Sequence, residues 1–144
     1  MEEYSVTKSN PDSKKRKTLI SGRNDLYFKI GRANFILEAK QYWPNLRSKG
    51  VLIGLNKALK AAKKDVRTMK ADGARRLAAV FVAGRIPENF KDDSEEILKS
   101  MIDALNSASG AARAWIFPEN TDKLIDGKKT RKWYPGAALV IKEV

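Results

Sequence analysis

Two carboxylates and a lysine stand out in a stretch that otherwise has the composition of two β-strands. The stretch is 24–43, NDLYFKIGRANFILEAKQYW, and the three residues are Asp25, Glu38 and Lys40. β-Branched and aromatic residues flank the Gly-Arg dipeptide at 31–32, which suits a two-residue hairpin loop with glycine in its first position. The pattern therefore predicts a hairpin with charged groups in its strands.

The register of this hairpin decides which charges meet. With a two-residue loop, Ile30 pairs with Ala33, and the same register places Asp25 directly across from Glu38. Successive side chains of a strand point to opposite faces, so Lys40 lies on the same face as both acids. Opposed residues have Cβ atoms about 4.5–5.5 Å apart, and opposed like charges destabilise a sheet. The two carboxylates therefore require a cation.

Two kinds of cation would meet this requirement. Lys40, or its expected cross-strand neighbour Arg23, would make the hairpin a structural ladder of charges on a solvated sheet face. A divalent metal ion would make it a reaction centre, because Mg²⁺ binds through one or two carboxylates and takes phosphate oxygens as further ligands. With a lysine that orients water and stabilises developing charge, such a site has the outline of phosphodiester hydrolysis.

The acid-x-lysine pattern alone is weak evidence, since it occurs three times, at 12–14, 38–40 and 126–128. The first copy lies in a loop rich in turn-forming residues, and the last lies in a turn that contains glycine. Only 38–40 lies on a predicted strand with a second acid, Asp25, on the strand that faces it. The hairpin therefore singles out the middle copy.

The residue types that are missing narrow the chemistry further. The 144-residue chain contains no cysteine and no histidine, which excludes disulfides, thiolate metal sites and imidazole ligands or bases. A metal must then be held by oxygen, which favours Mg²⁺ or Mn²⁺ over Zn²⁺. No apolar run reaches the roughly 20 residues of a membrane-spanning helix, and the N-terminus lacks an apolar signal segment. We therefore expect a cytoplasmic protein with no membrane partner.

Charge is distributed unevenly along the chain. Residues 41–87 hold eleven basic side chains against two acidic ones, whereas residues 88–126 hold four against nine. A basic region beside an acidic one suits a polyanion bound on one face. Nucleic acid is the expected partner, and a role in solubility alone is the alternative.

Several basic residues are candidates for phosphate contact. In chain order they are Lys14, Arg16, Arg23, Lys60, Lys64 and Arg67. The first two lie in the polar loop 9–17, and Arg23 is alternatively an ion-pair partner of the carboxylates. The last three alternatively belong to an ordinary solvated helix face. Phosphate contacts would add salt-dependent affinity without reading sequence.

Two helices are predicted in the second part of the chain. The first covers 51–70, because its apolar residues step by three and four positions and form one stripe. The members of that stripe are Leu52, Leu55, Leu59, Ala62, Val66 and Met69. The second helix begins near Asp93, which has capping-box spacing to Glu96, and stops at Gly110.

Strands are predicted around these helices. They lie at 3–8, 18–30, 33–43, 77–83, 113–117 and 137–143. The run at 77–83 is continuously apolar, as expected of a strand covered on both faces. The resulting order, β-β-β-α-β-α-β-β, predicts one α/β domain with a mixed central sheet flanked by helices.

The candidate residues resemble the motif of the PD-(D/E)xK nuclease superfamily, which has the restriction-endonuclease-like fold. Its members share an Asp at the end of one strand and a Glu-x-Lys on the next, as in GRNDLYF followed by FILEAKQ here. The family core is a helix, three antiparallel strands, a helix and a strand, and residues 4–83 resemble that order apart from the first helix. Asn24 stands where the name-giving proline would precede Asp25.

The resemblance implies a metal-dependent nuclease that hydrolyses DNA. Carried over by position, Asp25 and Glu38 would bind Mg²⁺ or Mn²⁺, the Ala39 carbonyl would add a ligand, and Lys40 would be the catalytic lysine. It also implies a single nuclease-like domain over 1–144, with a β-β-β-α-β core at about 4–83 and an α-β-β extension at about 88–144.

Two alternatives stay open at this point. The family's first helix often supplies a further Glu, and only three residues precede Tyr4. The chain is therefore a minimal member, which like many relatives would act as a homodimer, or part of a larger protein that supplies the helix. The alternative function is a catalytically inactive nuclease-fold module that binds nucleic acid or assembles with a partner.

Overall fold

The described part of the chain forms nine strands, two α-helices and one short 3-10 segment. A computed structural model describes residues 25–108, 112–118 and 132–144 in full, and only the backbone at 5–9 and 19–23. The strands are β1 (Ser5–Ser9), β2 (Leu19–Arg23), β3 (Leu26–Ile30), β4 (Ala33–Tyr42), β5 (Ala74–Val82), β6 (Ile86–Pro87), β7 (Ala112–Ile116), β8 (Lys132–Trp133) and β9 (Ala137–Glu143). The helices are α1 (Val51–Thr68), α2 (Ser94–Ser107) and a 3-10 segment, Glu88–Asp93, that precedes α2.

The register predicted for the central hairpin is confirmed. β3 and β4 run antiparallel, with Ile30 opposite Ala33 at the loop and Leu26 opposite Leu37 at the other end. Gly31 has φ 59°, a conformation that glycine adopts without the steric cost that a side chain brings. The loop therefore fixes which residues of β4 face each side of the sheet.

The single strand expected over 18–30 is wrong, because the chain forms two strands there. β2 pairs with β1, which places Arg23 opposite Ser5, whereas β3 pairs with β4. Asp25 lies in a bend just before β3. Arg23 is therefore not the cross-strand neighbour of Lys40, since β1 and β2 form a separate two-stranded sheet.

A mixed five-stranded sheet organises the domain, in the order β3-β4-β5-β9-β7. β5 runs parallel to β4, and α1 makes the crossover that parallel neighbours require. β9 runs antiparallel to both β5 and β7. The prediction of one α/β domain with a mixed sheet is confirmed, and β4 lies inside the sheet with a neighbour on each side.

The first helix follows its sequence pattern closely. All but one of the predicted stripe residues are buried, and the exception is Leu52, which is half-buried while Val51 takes its place in the core. The helix ends at Thr68 with Met69 as its C-cap. Gly73, the predicted stop, instead has φ 72° in the turn that leads into β5.

The second helix begins where predicted and ends earlier. Asp93 is its N-cap residue, but the Asp93 side chain makes no capping hydrogen bond, and the helix ends at Ser107 rather than Gly110. Ile97, Met101 and Leu105 form its buried face. The short pair β6 and β8 was not predicted, because two-residue strands carry no periodic signal.

Both helices pack on the same face of the five-stranded sheet. Val80, Val82 and Val140 from the central strands share one buried cluster with side chains of α1 and α2. On the opposite face Phe81 is 51% exposed and Ile116 is 66% exposed. The expectation that 77–83 is covered on both faces is therefore wrong at Phe81. Neither described helix combines the length and apolar character needed to cross a bilayer.

Tyr42 ties the end of β4 to the start of α1. Its hydroxyl donates a hydrogen bond to the carbonyl of Val51 at 3.2 Å. Its ring lies so close to Gly54 that a Cβ atom there would clash with the Tyr42 hydroxyl oxygen and ring. Burial raises the pKa of Tyr42 above its ordinary value. The helix approaches β4 this closely only because residue 54 lacks a side chain.

We predict that Gly54→Ala lowers the free energy of unfolding by about 1–3 kcal/mol, the usual cost of overpacking. An alanine inside a helix ordinarily stabilises by about 0.5–1 kcal/mol relative to glycine, so the close contact reverses the sign. Urea unfolding followed by circular dichroism measures the change. Asn56→Ala, at an exposed position of the same helix, is the control and should be neutral or stabilising. A stabilising Gly54→Ala would contradict the contact.

Candidate active site

Asp25 is held against the backbone of β4. One of its carboxylate oxygens, Oδ2, accepts a hydrogen bond from the backbone N–H of Ala39 at 2.7 Å. The contact lies just beyond the last strand pair, Leu26 with Leu37, and it uses the Asp25 side chain rather than its backbone. The N–H and C=O groups of one strand residue point to the same side, so the Ala39 carbonyl also faces the side where Asp25 lies. The predicted neighbours, Asp25 and the 38–40 segment, therefore meet.

Glu38 lies between the sheet and the helical layer. It is only 5% exposed, and its neighbours on the same face of the sheet include the fully buried Ala78 of β5. A charged side chain with so little contact with water is costly unless a cation and hydrogen bonds compensate it. The interpretation of Glu38 as part of a solvated outer face is therefore wrong.

Lys40 supplies a compensating charge. Its ammonium nitrogen lies 3.0 Å from Glu38 Oε1 and 2.6 Å from Asp65 Oδ2. Burial by itself lowers the pKa of Lys40, but the hydrogen bonds and charges of Asp65 and Glu38 outweigh it, so the pKa is raised above the ordinary value. Lys40 is therefore a cation at neutral pH, and it is a hydrogen-bond donor and positive charge rather than a base.

Asp65 is the site residue that the sequence pattern did not reveal. It comes from α1, and it is one of only two acidic residues among residues 41–87. It precedes Val66 and follows Ala62 by three positions, and both of these are buried. An acid at the edge of a buried helical stripe was the available signal, but nothing in the sequence indicated which strand it would face.

The oxygen groups present suit a small divalent cation. Two carboxylates, from Asp25 and Glu38, and the Ala39 carbonyl lie around one stretch of β4. Mg²⁺ prefers such hard oxygen ligands, needs only one or two carboxylates and completes its shell with water and phosphate oxygens. Within the described residues, no three acidic side chains are grouped so that they could hold a metal by themselves. Asp25, Glu38 and the Ala39 carbonyl are therefore the described oxygen groups that could hold Mg²⁺ or Mn²⁺.

The candidate phosphate contacts are only partly within the described structure. Lys60, Lys64 and Arg67 are exposed on α1, and together with Lys57 they step by three and four residues along the side of the helix away from the sheet. Lys14, Arg16 and the side chain of Arg23 lie outside the described residues. Within the described residues, the predicted basic surface therefore consists of the row of Lys60, Lys64 and Arg67 on α1.

Two more lysines, Lys63 of α1 and Lys142 of β9, lie beside this row of basic residues. Lys63 lies close enough to Lys142 and Arg67 that burial and these positive charges lower its pKa. Like charges held near one another repel, and they attract a bound anion strongly. The outer side of α1 and the adjoining end of β9 thus form one positively charged surface.

The chain matches no known protein-family model, no curated protein and no solved structure. The chemistry of the site therefore has to be argued from the positions of its residues.

We predict that Lys40→Met lowers the free energy of unfolding by about 1–3 kcal/mol, because it removes a cation from a buried carboxylate. This loss is smaller than the roughly 3–5 kcal/mol lost when one partner of a fully buried ion pair is removed, since the Lys40 side chain is 32% exposed. In a double-mutant cycle measured by urea unfolding at pH 7, Glu38→Gln should recover most of the stability that Lys40→Met removes. Strictly additive costs would contradict the coupling of the two charges.

Proposed function

We propose that this protein is a metal-dependent nuclease of the PD-(D/E)xK type that hydrolyses phosphodiester bonds in DNA. The observation that carries the proposal is the meeting of Asp25 with the Glu38-Ala39-Lys40 segment, through the 2.7 Å hydrogen bond to the Ala39 N–H. The burial of Glu38 and its ion pair with Lys40 add a carboxylate and a cation at the same place.

The strand order around the site is compatible with a restriction-endonuclease-like core. The antiparallel hairpin β3-β4, the crossover helix α1 and the parallel strand β5 follow one another as the resemblance implies. The pairing of β1 with β2 in a sheet of their own is a departure, since three strands in one antiparallel run were expected. The support for a restriction-endonuclease-like core therefore comes from β3, β4, α1 and β5, and the candidate metal-binding and catalytic residues lie in β4 and just before β3.

The candidate residues would have separate roles in hydrolysis. Asp25, Glu38 and the Ala39 carbonyl would hold Mg²⁺ or Mn²⁺, which when bound neutralises charge on the phosphate and makes water more acidic. Hydrolysis forms a bond between a water oxygen and phosphorus and breaks the bond to one ester oxygen. The Lys40 ammonium would orient that water and donate hydrogen bonds to the negative charge that develops on the phosphate.

The basic surface on α1 supports a nucleic-acid substrate. Lys57, Lys60, Lys64 and Arg67 span ten residue steps of helix, about 15 Å at 1.5 Å per residue, which is enough to follow several backbone phosphates. These side chains are exposed, and phosphate contacts from them would position a strand without reading its sequence. No Gly-rich phosphate loop is visible in the sequence, so a small phosphorylated substrate is a poorer fit.

A second candidate function is a module that keeps this fold without catalysis and binds nucleic acid or a partner. The observation that favours it is the position of Lys40 between two carboxylates, since such a triad is also a stable structural arrangement. The apolar sheet face around Phe81 and Ile116 offers a surface for assembly. The two functions predict opposite results in a cleavage assay.

We predict that the protein nicks supercoiled DNA or shortens linear DNA when Mg²⁺ or Mn²⁺ is present and stops when EDTA is added. Asp25→Ala and Lys40→Ala should each reduce the cleavage rate by a factor of about 10²–10³, the usual effect of removing one preorganised charged group. Asp72→Ala, which removes an exposed acid from the turn before β5, is the matched control and should retain the rate of the unaltered protein.

Absence of cleavage together with DNA binding that Asp25→Ala and Lys40→Ala leave unchanged would overturn the nuclease proposal and support the non-catalytic module. Cleavage that persists in both variants would overturn the assignment of these residues.

We predict that Lys64→Glu weakens DNA binding, because it places a negative charge in the middle of the basic row. The slope of log affinity against log salt concentration should become shallower by about 0.9 for each phosphate that the variant no longer neutralises. Fluorescence anisotropy with a labelled duplex over a series of salt concentrations measures both quantities. Lys99→Glu makes the same charge change at an exposed position of α2 and should have little effect. Equal weakening in the two variants would show that only net charge matters.

A further inference from the structure

The ammonium group of Lys40 is held from two different elements. Glu38 is its near neighbour on β4, at 3.0 Å, and Asp65 reaches it from α1, at 2.6 Å. The proposed function gives Glu38 a second task, since its carboxylate would also hold the metal ion. A lysine anchored by Glu38 alone would therefore share its partner with the metal.

Asp65 is placed to hold Lys40 without also serving as a ligand of the metal ion. Among the described residues, Asp25, Glu38 and Asp65 are not grouped as three carboxylates around one point, and the Asp65 carboxylate contacts Lys40. Its contact with Lys40 is the shorter of the two ion pairs. A lysine ammonium has three N–H donors, and with two directed at Glu38 and Asp65 the third is available for a water or a phosphate oxygen.

The position of Asp65 is fixed by the packing of α1. Val66, the next residue, is fully buried, and the backbone carbonyl of Asp65 accepts a hydrogen bond from the Thr68 hydroxyl at 2.7 Å. At the other end of the helix, Tyr42 and Gly54 hold α1 against β4. The carboxylate thus stands on a rigid element, whereas lysine has a flexible four-carbon stem that must be ordered before its charge can be aimed.

Stability alone does not explain this contact. The Lys40 and Asp65 side chains are 32% and 38% exposed, and ion pairs in contact with water contribute little to folding. Asp65 also stands in a segment that is otherwise strongly basic, where a lysine or arginine would have extended the cationic surface. An acid at this place is explained by what it does to Lys40.

We propose that Asp65 is a positioning residue for Lys40: it holds the ammonium group in its reactive orientation from α1 while Glu38 is engaged with the metal ion. The inference rests on the proposed nuclease function for its catalytic consequence. The juxtaposition of Asp65 with Lys40 is a property of the fold and can be tested without any cleavage.

The first test observes the ammonium group directly. In protein labelled with ¹⁵N-lysine, an ordered ammonium that exchanges slowly with water gives a side-chain NMR signal, and disappearance of a signal in Lys40→Arg assigns it to Lys40. We expect this signal in the unaltered protein and in Asp72→Asn, and we expect Asp65→Asn to remove or broaden it. Asp65→Glu should restore it in part, since a carboxylate is again available. A Lys40 signal that is unchanged in Asp65→Asn would overturn the inference.

The second test measures the catalytic consequence. Asp65→Asn should lower kcat for DNA cleavage by about 10–100-fold, the range expected when a reacting group is misplaced by about 1 Å, and leave KM nearly unchanged. Asp65→Glu should recover part of kcat, and Asp72→Asn is again the matched control. A value of kcat in Asp65→Asn equal to that of Asp72→Asn would overturn the positioning role.

The two tests separate the two proposals. If the unaltered protein does not cleave DNA but the Lys40 signal still depends on Asp65, the nuclease proposal fails and the positioning of Lys40 stands. If cleavage occurs and neither the Lys40 signal nor kcat responds to Asp65→Asn, the nuclease proposal stands and the role of Asp65 is overturned. Thermal unfolding of each variant followed by circular dichroism confirms that the fold is retained.

Discussion

The burial of Glu38 is the constraint on which the site depends. A carboxylate enclosed between a sheet and a helix must have positive charge and hydrogen-bond donors close by, because transfer from water without them costs several kcal/mol, on the order of the whole stability of a small domain. Lys40 contributes that charge from the same strand. Since the Lys40 side chain is long and flexible, α1 contributes Asp65 to hold it. One buried acid thus leads to a chain of three charged side chains from two elements.

The fold supplies the rigid frame that this chain requires. β4 is an inner strand, paired with β3 on one side and β5 on the other, so its side chains have fixed directions. α1 is pressed onto β4 through Tyr42 and Gly54, which sets the height of the helix above the sheet. Asp25 enters from the bend before β3 and is anchored on the Ala39 N–H. Asp25 and Asp65 therefore reach the 38–40 segment from two different elements, the bend before β3 and α1.

The two faces of the sheet have different properties. The helical face is closed by α1 and α2, contains Glu38 and Lys40, and is bordered by the basic row that begins at Lys57. The opposite face exposes large apolar side chains such as Phe81 and Ile116. The buried acid Glu38 and its ion pair with Lys40 therefore lie in the helical layer.

The sequence by itself determined the local part of this arrangement. The loop at 31–32 set the register of the hairpin and thereby the meeting of Asp25 with the 38–40 segment, because strand pairing across a two-residue loop has one solution. The stripe of α1 and the positions of β5 and β9 were also readable, since each has a strong period or a long apolar run.

Only the tertiary structure decided which distant groups meet these residues. Asp65 reaches Lys40 because the crossover from β4 to β5 lays α1 over β4, and helical periodicity does not specify which strand lies beneath a given side. Long-range packing also decides that 18–30 forms two strands, β2 and β3, which pair with different partners. It likewise decides that the Phe81 side chain is exposed on its face of the sheet. Periodicity indicates that a face is buried, but the partner that buries it is chosen by long-range packing.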